Sequence, residues 1–543
     1  MSNIVLVGFM CTGKTQVGKR LAAALGMRFV DSDTVIEERA GKKIARIFKE
    51  DGEEKFRQME RNAIARLASK RGLVIATGGG ALGDRRNLVD LRRSGTLICL
   101  SASPEAVLKR TKKGAPRPLL QVPNPRARIE QLLALRAPQY AQADYHFDTT
   151  DTSPARAAAK IARLLSVVPA RLGERSYEIL IGRGLLENAS EHIARLGEYG
   201  KLVVISEERV WGHHGEALVS GLPKHKRVIL PAFEDQERVK SLRYAEALYD
   251  ELLRLGMRRD GLLIAFGGGT IGDLAGFVAA TYMRGIEFVQ IPTTLLAQVD
   301  SSVGGKAAVN HPRAKNLIGA FWQPRLVLAD LHCLDTLPRR QLRNGLAEMA
   351  KHAVLADARL FRYMEDHVED VVRLHPPTLR HLLWRNCQIK AEIVSRDERE
   401  AGLRAVLNLG HTFGHAFEAA VNYHGLSHGE AVSIGMATAA RMAANMGIFS
   451  KAGLKRLLDL LRAYHLPVSV PQVPIGSIMS AMKVDKKALR SGLRFVLPER
   501  IGKVRVVSEV PAAEIRRALI GGRGSAVEAR NSAAAPRKRS EKS

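Results

Sequence analysis

Two glycine-rich segments and a histidine pair are the parts of this 543-residue chain whose residue types and spacing point to chemistry. The first segment, residues 8–15, reads Gly-Phe-Met-Cys-Thr-Gly-Lys-Thr and matches GxxxxGK[ST] without a mismatch. A short apolar run precedes it and an amphipathic helical pattern follows it. This context predicts a loop whose backbone N–H groups face phosphate oxygens, with Lys14 on the terminal phosphates and Thr15 on Mg²⁺. The predicted nucleotide site comprises Gly8, Cys11, Thr12, Gly13, Lys14, Thr15 and Gln16.

The second glycine-rich segment, Gly267 to Asp273, satisfies GxGxxG directly after the apolar run Leu262 to Phe266. A strand that turns into a helix at such a motif can hold the pyrophosphate of a dinucleotide. The acidic residue usually sought about twenty positions later has no convincing candidate, since Glu287 falls there by count alone. A purely structural glycine turn stays open, so a dinucleotide site needs support from elsewhere in the chain.

Three histidines lie close together near residue 420. His411 and His415 are four residues apart, which puts both on one helical face, and His428 follows after a short loop. The intervening residues are not those of HExxH, which disfavours peptidase chemistry. A catalytic zinc needs three protein ligands and an open position, and Glu348 is the candidate carboxylate. We predict zinc on Glu348, His411 and His428, with cobalt as the alternative because ligands alone do not decide the metal.

The elements that must position these residues form two α/β patterns. Apolar strand-like runs alternate with helical stretches up to about residue 165 and again from 177 to about 335, which predicts parallel sheets covered by helices. Long helical periods take over beyond Pro338. The predicted parts are a three-layer α/β/α P-loop domain at 1–165, a linker at 166–174, an α/β dinucleotide-binding part at 175–337, a mostly helical metal-binding part at 338–520, and a basic disordered tail at 521–543.

Composition sets wider limits. A chain of 543 residues exceeds the roughly 250–300 residues of a single core, so at least two domains are expected. The sequence has no apolar run of about 18 residues and no signal-peptide pattern, so we expect a cytoplasmic protein without a membrane span. The four cysteines contain no CxxC pair, which argues against a disulfide framework. The net charge of +29 is compatible with nucleic acid, anionic small molecules or a basic proteome.

Residues 1 to about 165 resemble shikimate kinase. The resemblance rests on the phosphate loop, Asp31-Ser32-Asp33, Gly52 to Glu60, Thr77 to Gly80, Arg117 to Leu120, and the pair Arg136 and Tyr140. It implies ATP-dependent phosphorylation of shikimate to shikimate 3-phosphate. It further implies that Asp33 holds the shikimate hydroxyls and accepts a proton, and that Asp31 orders water around Mg²⁺. Shikimate would also contact Arg57, Gly79, Gly80 and Arg136. Arg110 would lie over the adenine of ATP, and Arg117 would lie on a lid over the phosphates. For Asp31, capping of a helix is the alternative role.

Residues 174 to about 520 are similar to 3-dehydroquinate synthase. The similarity is carried by Arg175 to Tyr177, Gly267 to Asp273, Tyr282 to Gly285, Pro292 to Lys306, Lys315 to Gly319, Asn408 to His415, and Asp485 to Lys487. It implies that NAD⁺ contacts Glu237, Lys240, Gly268, Gly269, Asp273, Thr293, Thr294, Asp300, Lys315, Asn316 and Thr336. It also implies that a heptulosonate phosphate contacts Arg284, Asp300, Lys306, Lys351, Lys390, Arg404, Asn408, His415 and Lys486.

The reaction implied by this similarity converts 3-deoxy-D-arabino-heptulosonate 7-phosphate into 3-dehydroquinate and phosphate, with NAD⁺ regenerated. Two departures affect cofactor binding: Glu207-Glu208-Arg209 stands where the family often has Asp-Thr-Asn, and Cys333 replaces a common aromatic residue. The family also implies a homodimer. We therefore predict a bifunctional enzyme of small-molecule substrates, in which Asp33, Lys14, Arg117, Lys306, Lys390, Arg404, His415 and Asp300 are catalytic.

Two rival functions follow from the same residues. An NAD-linked polyol dehydrogenase would share the metal and the dinucleotide, but it would not need the phosphate-binding cations Lys306, Lys390 and Arg404. A nucleic-acid-binding regulator built on retired enzyme folds would explain the charge and the basic tail, and it would show steep salt dependence. We expect no nucleic-acid partner.

Overall fold

The apolar runs of the first 165 residues form one parallel sheet. The computed structural model describes residues 3–25, 27–70, 72–111, 120, 122–224, 227–230, 237–312, 314–422, 425–488 and 493–523, with side chains of 483–488 left out. The strands of the first sheet are β1 (Asn3–Val7), β2 (Arg28–Asp31), β3 (Leu73–Ala76), β4 (Gly95–Ser101) and β5 (Tyr145–Asp148). Their order is β2-β3-β1-β4-β5, and every neighbouring pair is parallel.

Helices cover both faces of this sheet. They are α1 (Lys14–Leu25), α2 (Ser32–Ala40), α3 (Ile44–Glu50), α4 (Gly52–Ala68), α5 (Arg85–Ser94), α6 (Pro104–Thr111), α7 (Pro125–Tyr140) and α8 (Pro154–Leu164). Alternate residues of β1 point to opposite faces, so Leu6 packs with Leu21 and Ile161 while Val5 packs with Ile64 and Leu91. The predicted three-layer α/β/α architecture is confirmed.

A second, seven-stranded sheet follows from residue 167. Its strands are β6 (Val167–Ala170), β7 (Tyr177–Gly182), β8 (Leu202–Ser206), β9 (Arg227–Ile229), β10 (Leu262–Gly267), β11 (Glu287–Pro292) and β14 (Leu326–Asp330). A separate hairpin consists of β12 (Lys306–His311) and β13 (Ala314–Phe321). The sheet order is β6-β7-β14-β11-β10-β8-β9, parallel except for the β6–β7 pair. Its helices are α9 (Ala189–Ala194), α10 (Glu208–Ser220), α11 (Leu242–Arg254) and α12 (Gly269–Thr281).

Four residues of the segment predicted as a linker, 166–174, form a strand in the structure. Val167–Ala170 forms the edge strand β6, which pairs antiparallel with β7. Pro169 cannot donate a ladder hydrogen bond, and an edge strand tolerates this because one of its sides faces no neighbour. The chain accordingly divides after Ser166 into two compact units, of which the first comprises Met1–Ser166 with His375–His381 and the second Val167–Leu374 with Leu382–Ser543.

The remainder is mostly helical, as the sequence predicts. Its elements are α13 (Arg339–Ala356), α14 (Ala358–Asp366), α15 (Val368–Val372), α16 (Pro376–Arg396), α17 (His411–Ala420), α18 (His428–Asn445), α19 (Lys451–Ala463), α20 (Ile475–Ala488), the antiparallel hairpin β15 (Arg494–Arg500) and β16 (Lys503–Ser508), and α21 (Ala512–Gly521). The predicted tail lies outside the described residues from 524 onward. Within the described ranges, every helix is too short or too polar to cross a bilayer.

Candidate active sites

The phosphate loop lies between β1 and α1, where the glycines are required by the backbone. Gly8 has a φ of 131°, and a Cβ there would lie 2.1 Å from the Leu100 carbonyl oxygen. Gly13 has a φ of 94°, directly before the helix begins at Lys14. The loop encloses the Lys14 ammonium, which donates to the carbonyl oxygens of Gly8 at 2.8 Å and Phe9 at 2.7 Å. An ammonium held at a helix N-terminus in this way suits a phosphate ligand.

The predicted magnesium residues lie next to one another. The Thr15 hydroxyl donates to the Asp31 carboxylate at 2.7 Å. Asp31 also caps helix α2 by accepting the Asp33 backbone N–H at 3.0 Å, so the capping role and proximity to Thr15 are both observed. A hydroxyl and a carboxylate beside a phosphate loop are hard oxygen donors of the kind Mg²⁺ takes. Gln16 accepts from the exposed Arg20 at 3.0 Å on the first turn of α1.

A cavity of about 390 Å³ is lined in part by Gly79, which lies against the phosphate loop because a Cβ there would be 3.1 Å from the Met10 nitrogen. Its lining includes Arg57, Gly79, Gly80 and Arg136, four residues that the sequence predicts to bind one ligand. The Arg136 guanidinium donates to the Gly79 carbonyl oxygen at 2.9 Å, and a Cβ on Gly80 would lie 2.8 Å from Arg57. The Asp33 carboxylate reaches the same segment, since it would lie 2.9 Å from a Cβ on Gly78. The structure thus brings the five predicted shikimate residues together.

The two arginines predicted over the nucleotide have different outcomes. Arg110 donates to the Cys11 carbonyl oxygen at 3.2 Å and to the Thr150 carbonyl oxygen at 3.0 Å, so its guanidinium lies beside the phosphate loop. Arg117 falls outside the described residues.

The second glycine-rich turn joins β10 to α12, with Gly268 at the helix N-cap. The adjacent strand β11 ends beside it, because the Thr293 N–H donates to the Gly267 carbonyl oxygen at 3.0 Å. A Cβ on Gly268 would lie 3.2 Å from the Thr294 methyl carbon, and one on Gly269 would lie 3.0 Å from the Ser301 hydroxyl oxygen. The buried Thr293 hydroxyl has no hydrogen-bond partner within the described part of the chain. A glycine turn at a helix N-terminus, with this hydroxyl on the adjacent strand end, fits a dinucleotide pyrophosphate.

Three of the other predicted dinucleotide residues, Glu237, Asp273 and Asn316, contact Lys240. Its ammonium donates to Asp273 at 2.5 Å and to Asn316 at 2.5 Å. Burial raises the pKa of Asp273, and the Lys240 ammonium opposes that shift. Glu237 accepts from Thr270 at 3.4 Å, on the first turn of α12. Lys315 lies exposed on β13, and the exposed Thr336 shares a 2.7 Å hydrogen bond with His214.

Three helices bring the predicted metal ligands together. Glu348 lies in α13, His411 begins α17 and His428 begins α18, and their ligand atoms all lie within 4.8 Å of one another. Each histidine Nε2 is 3.7 or 3.6 Å from Glu348 Oε1, too long for a hydrogen bond. The fully buried Glu348 forms an ion pair with the Lys351 ammonium through Oε2, while Oε1 has no hydrogen-bond partner among the described residues. A buried carboxylate oxygen that faces two imidazoles without a hydrogen bond fits a zinc ion.

Charge in this cluster favours the ligand-competent states of Glu348 and His411, whereas His428 must lose a proton to bind a metal. Burial alone would raise the pKa of Glu348, but the Lys351 ammonium holds it well below its usual range. Burial lowers the pKa of His411 well below its ordinary value, so that imidazole stays neutral. Burial also acts to lower the pKa of His428, but Glu348 and Glu418 together raise it to about 9. Glu418 Oε1 lies 3.8 Å from His428 Nδ1, so a carboxylate lies next to the ring nitrogen that does not face Glu348.

Asp300 is the centre of a second set of buried charges. It lies in a π-helical turn, Ala297–Ser301, and ion-pairs with Lys351 at 3.2 Å and with Lys390. Lys390 also donates to the Asp300 carbonyl oxygen at 2.6 Å. Burial and the nearby Arg404 hold the pKa of Lys390 well below its usual value. Lys351 and Lys390 are buried beside Asp300, and their amino groups can donate hydrogen bonds to an anionic substrate.

Comparisons with known proteins agree with this geometry. Family models described as 3-dehydroquinate synthase N-terminal and C-terminal match residues 231–344 and 345–488, and the Shikimate kinase model matches residues 10–166. The chain is 47% identical to 3-dehydroquinate synthase of Idiomarina loihiensis over 348 residues, 64% of this chain and 96% of that protein. The chain belongs to the 3-dehydroquinate synthase family. With its shikimate kinase part, it is a bifunctional shikimate-pathway enzyme with kinase and lyase activities.

Solved structures are similar to the synthase part. One is 2-epi-5-epi-valiolone synthase from Streptomyces hygroscopicus, solved with NAD⁺ and Zn²⁺, at 33% identity and a TM-score of 0.60, covering 65% of this chain and 98% of that one. Another is 2-deoxy-scyllo-inosose synthase complexed with carbaglucose-6-phosphate, NAD⁺ and Co²⁺, at 27% identity and a TM-score of 0.60, covering 66% of this chain and all of that one. The family match favours a synthase over the polyol dehydrogenase alternative.

The remaining predicted substrate residues of the synthase part lie in different settings. Lys306 ion-pairs with Glu400, and Asn408 donates to Glu400 at 3.2 Å. His415 is exposed, with its ring 5.5 Å from that of His411. Arg284 is exposed at a φ of 65°. The Lys486 backbone lies in α20, and its side chain is outside the described atoms.

Arg404 is buried at 2% exposure rather than open to a ligand. Its guanidinium donates to the backbone carbonyl oxygens of Gly304, at 3.2 Å, and of Glu398. Arg404 therefore joins two loops of the site, a role that its residue type alone does not reveal.

The acidic residue near the second glycine turn is not the one that a count along the sequence suggests. Glu287 opens β11 at the opposite end of the sheet from the glycine turn, where it accepts from Tyr199 at 2.6 Å, so it is not the acid of this site. Glu207 instead follows β8, the parallel neighbour of β10. It is buried, and its Oε1 would lie 3.9 Å from a Cβ on Gly268. An acid directly after a buried strand was the available signal.

Glu60 and Tyr140 are further residues of the kinase cavity. Glu60 is 2% exposed and accepts from Arg57 at 2.7 Å, while one of its oxygens has no partner among the described residues. Burial raises the pKa of Glu60, although Arg57 opposes that shift. Tyr140 donates to the Gly79 carbonyl oxygen at 2.6 Å. The three-residue spacing of Arg57 and Glu60 on helix α4 was the signal for the first of these contacts.

Proposed function

We propose that residues 1–165 transfer a phosphoryl group from ATP to shikimate and give shikimate 3-phosphate. The cavity lined by Arg57 and Arg136 beside the phosphate loop carries this proposal, because two guanidinium groups can bind the carboxylate of a ring-shaped substrate. Lys14 would hold the terminal phosphates and Asp33 would accept the proton of the attacking hydroxyl. Mg²⁺, when held through Thr15 and the water ordered by Asp31, would neutralise phosphate charge. Arg117 is proposed to cover the phosphates and Arg110 the adenine.

In the synthase part, we infer that residues 175–337 bind NAD⁺. Gly268, Gly269 and Thr293 would hold the pyrophosphate at the N-terminus of α12, and Thr294 would line the same turn. Lys240 would neutralise the charge of Asp273, so that the positive N-terminal end of the α12 dipole attracts the cofactor pyrophosphate. Glu207 would accept hydrogen bonds from the adenosine ribose and so take the place of the Asp-Thr-Asn sequence that this chain lacks. The remaining contacts are assigned to Glu237, Asp300, Lys315, Asn316 and Thr336.

Residues 338–520 would hold the metal and the heptulosonate phosphate. The Glu348 Oε1 atom, which faces both imidazoles without a hydrogen bond among the described residues, carries this proposal, and Glu348, His411 and His428 are its ligand set. Zn²⁺ or Co²⁺, when bound there, would polarise the alcohol whose hydride NAD⁺ accepts. Lys351 and Lys390 would attract the substrate carboxylate, and Lys306 and Asn408 its phosphate. The exposed His415 would move a proton at the edge of the site, with Arg284 and Lys486 as further cations.

We further propose a homodimer in the cytoplasm, with the synthase part as its interface. Leu317 and Phe321 lie on one face of β13 at 69% and 41% exposure. In the proposed dimer these two apolar side chains would be covered by the second copy of the chain. The four cysteines are free thiols, which suits a reducing compartment. Leu317→Glu should halve the mass of the purified particle in light scattering, and an unchanged mass would contradict this interface.

The proposed function is tested with two assays on the purified full chain. One follows 3-dehydroquinate formation from the heptulosonate phosphate with NAD⁺, with and without chelator, and the other follows ATP-dependent phosphorylation of shikimate. We expect both activities, with only the first abolished by a chelator in the presence of excess Mg²⁺. Absence of either activity would overturn that half of the proposal. Salt-sensitive DNA binding would favour the nucleic-acid alternative.

A further inference from the structure

Glu400 lies between two residues assigned to the substrate phosphate. Its Oε2 ion-pairs with the Lys306 ammonium, and its Oε1 accepts from the Asn408 amide at 3.2 Å. Burial alone would raise the pKa of Glu400, but these two donors hold it below its usual range, so the group is a carboxylate. One anion of the protein therefore occupies the donors that a phosphate would need.

Glu400 belongs to a loop with several fixed points. The Asp397 carboxylate accepts backbone N–H bonds from Ala401, Gly402 and Arg404, each at 2.8 Å. Glu400 itself has a φ of 59°, an uncommon conformation for a residue with a side chain. This loop holds the carboxylate in place independently of its contact with Lys306.

Arg404 connects this loop to the turn that carries Lys306. Its buried guanidinium donates to the Gly304 carbonyl oxygen and to the Glu398 carbonyl oxygen. Gly304 and Gly305, with φ values of 101° and 64°, form the turn before Lys306. Because Arg404 fixes both backbones, the Glu400 carboxylate and the Lys306 ammonium are held facing each other rather than meeting by chance on a mobile surface.

A phosphate dianion and the Glu400 carboxylate repel each other and compete for the same donors. We propose that Glu400 is an internal competitor for the phosphate position of the synthase site: it yields to the phosphate monoester of the substrate and retakes Lys306 and Asn408 when inorganic phosphate leaves. This inference rests on the proposed assignment of Lys306 and Asn408 to phosphate. Its consequence is weak product retention, since the free phosphate ion lacks the substrate's other contacts to offset the competition.

The test is inorganic phosphate inhibition of the full-length holoenzyme with NAD⁺ and zinc. Glu400→Gln keeps the shape and removes the charge, so the inhibition constant for phosphate should fall about tenfold, and the KM for the heptulosonate phosphate should fall with it. Formation of 3-dehydroquinate is measured by chromatography, because added phosphate masks phosphate release. A residue that merely orients Lys306 would give the opposite result, with both constants rising.

The matched control is Glu398→Gln, two residues away. Glu398 pairs with Arg175 at 2.7 Å and accepts from Gln323 at 2.9 Å, outside the Lys306–Asn408 pair. Its phosphate inhibition should equal that of the wild type. An unchanged or raised inhibition constant in Glu400→Gln, or an equal fall in Glu398→Gln, overturns the inference. A wild-type chain that forms no 3-dehydroquinate overturns the proposed function instead, so the two failures are distinguishable.

Discussion

The Lys240 ammonium donates to the Asp273 carboxylate at 2.5 Å, on the helix that follows the glycine turn of the synthase part. Lys240 is 7% exposed in its side chain, so little water screens the pair. A carboxylate close to the proposed pyrophosphate would repel it without this ammonium. The pair therefore makes the turn suitable for an anionic cofactor.

Lys240→Met should weaken NAD⁺ binding about tenfold or more, because the buried Asp273 charge then loses its partner. Titration calorimetry of the purified chain with NAD⁺ measures the effect. Lys201→Met is the matched control, since Lys201 donates to the Leu255 carbonyl oxygen just before β8 begins, at the other end of the sheet. Equal NAD⁺ affinity in Lys240→Met and the wild type would contradict the assigned role.

Glu418→Gln should lower zinc affinity about 10- to 100-fold, the usual effect of losing a carboxylate behind a histidine ligand. The reason is the 3.8 Å approach of Glu418 to His428 Nδ1, which orients that imidazole and increases its basicity. Competition against a chelator of known affinity measures the change. Glu369→Gln, on an 85% exposed side chain, is the control. Wild-type affinity in Glu418→Gln would show that Glu418 does not support the metal site.

Arg136→Met should raise the KM for shikimate at least about tenfold, because the cavity loses a charge-assisted contact to the carboxylate. The KM for ATP should change little. Arg126→Met provides a control on the same helix, since Arg126 is 60% exposed and pairs only with Glu105 and Glu130 among the described residues. If both variants bind shikimate equally well, the carboxylate lies elsewhere.

His352 predicts a specific pH dependence of stability. Burial lowers the pKa of His352 to about 3 from the ordinary 6.5. Between these values the unfolded chain binds a proton that the folded chain excludes, so the free energy of unfolding falls as the pH drops below 6.5. The slope from this one group is at most about 1.4 kcal/mol per pH unit.

His352→Gln should remove that contribution. Thermal unfolding of the metal-free wild type and variant between pH 7.5 and 4.5, a range chosen about the ordinary histidine pKa, compares their slopes. We expect the variant to be less stable at pH 7.5, since Asn386 loses its imidazole partner at 3.2 Å, and to close that gap as the pH falls. Parallel curves would show that the imidazole is protonated in the folded chain.

The sequence predicted the sites best where backbone geometry demands one residue type. Gly8 and Gly13 of the phosphate loop have φ values that favour glycine, so the motif and the structure carry the same information. Local pattern was sufficient for these two glycines. The metal cluster differs, because the four-residue spacing joins His411 to the exposed His415, whereas His411, His428 and Glu348 meet only where α17, α18 and α13 pack.

Residues whose roles depend on neighbours in space escaped this reasoning. Glu207, the acid proposed for the glycine turn, lies near that turn because β8 pairs with β10, and no count along the chain from Gly267 leads to it. Arg404 is of a residue type that often binds anions, but in the structure it is buried and its guanidinium donates to backbone carbonyl groups. The strand β6 was missed because an edge strand of four residues with a proline carries little periodicity.

The central claim is that one chain holds two separate active sites, and two single-site variants test it most directly. Shikimate phosphorylation and 3-dehydroquinate formation are measured on the same preparations of wild type, Lys14→Met and Glu348→Gln. The account predicts that Lys14→Met loses the kinase activity and keeps the synthase activity, while Glu348→Gln does the reverse. Retention of kinase activity in Lys14→Met, or of synthase activity in Glu348→Gln, would contradict the assignment of chemistry to these sites.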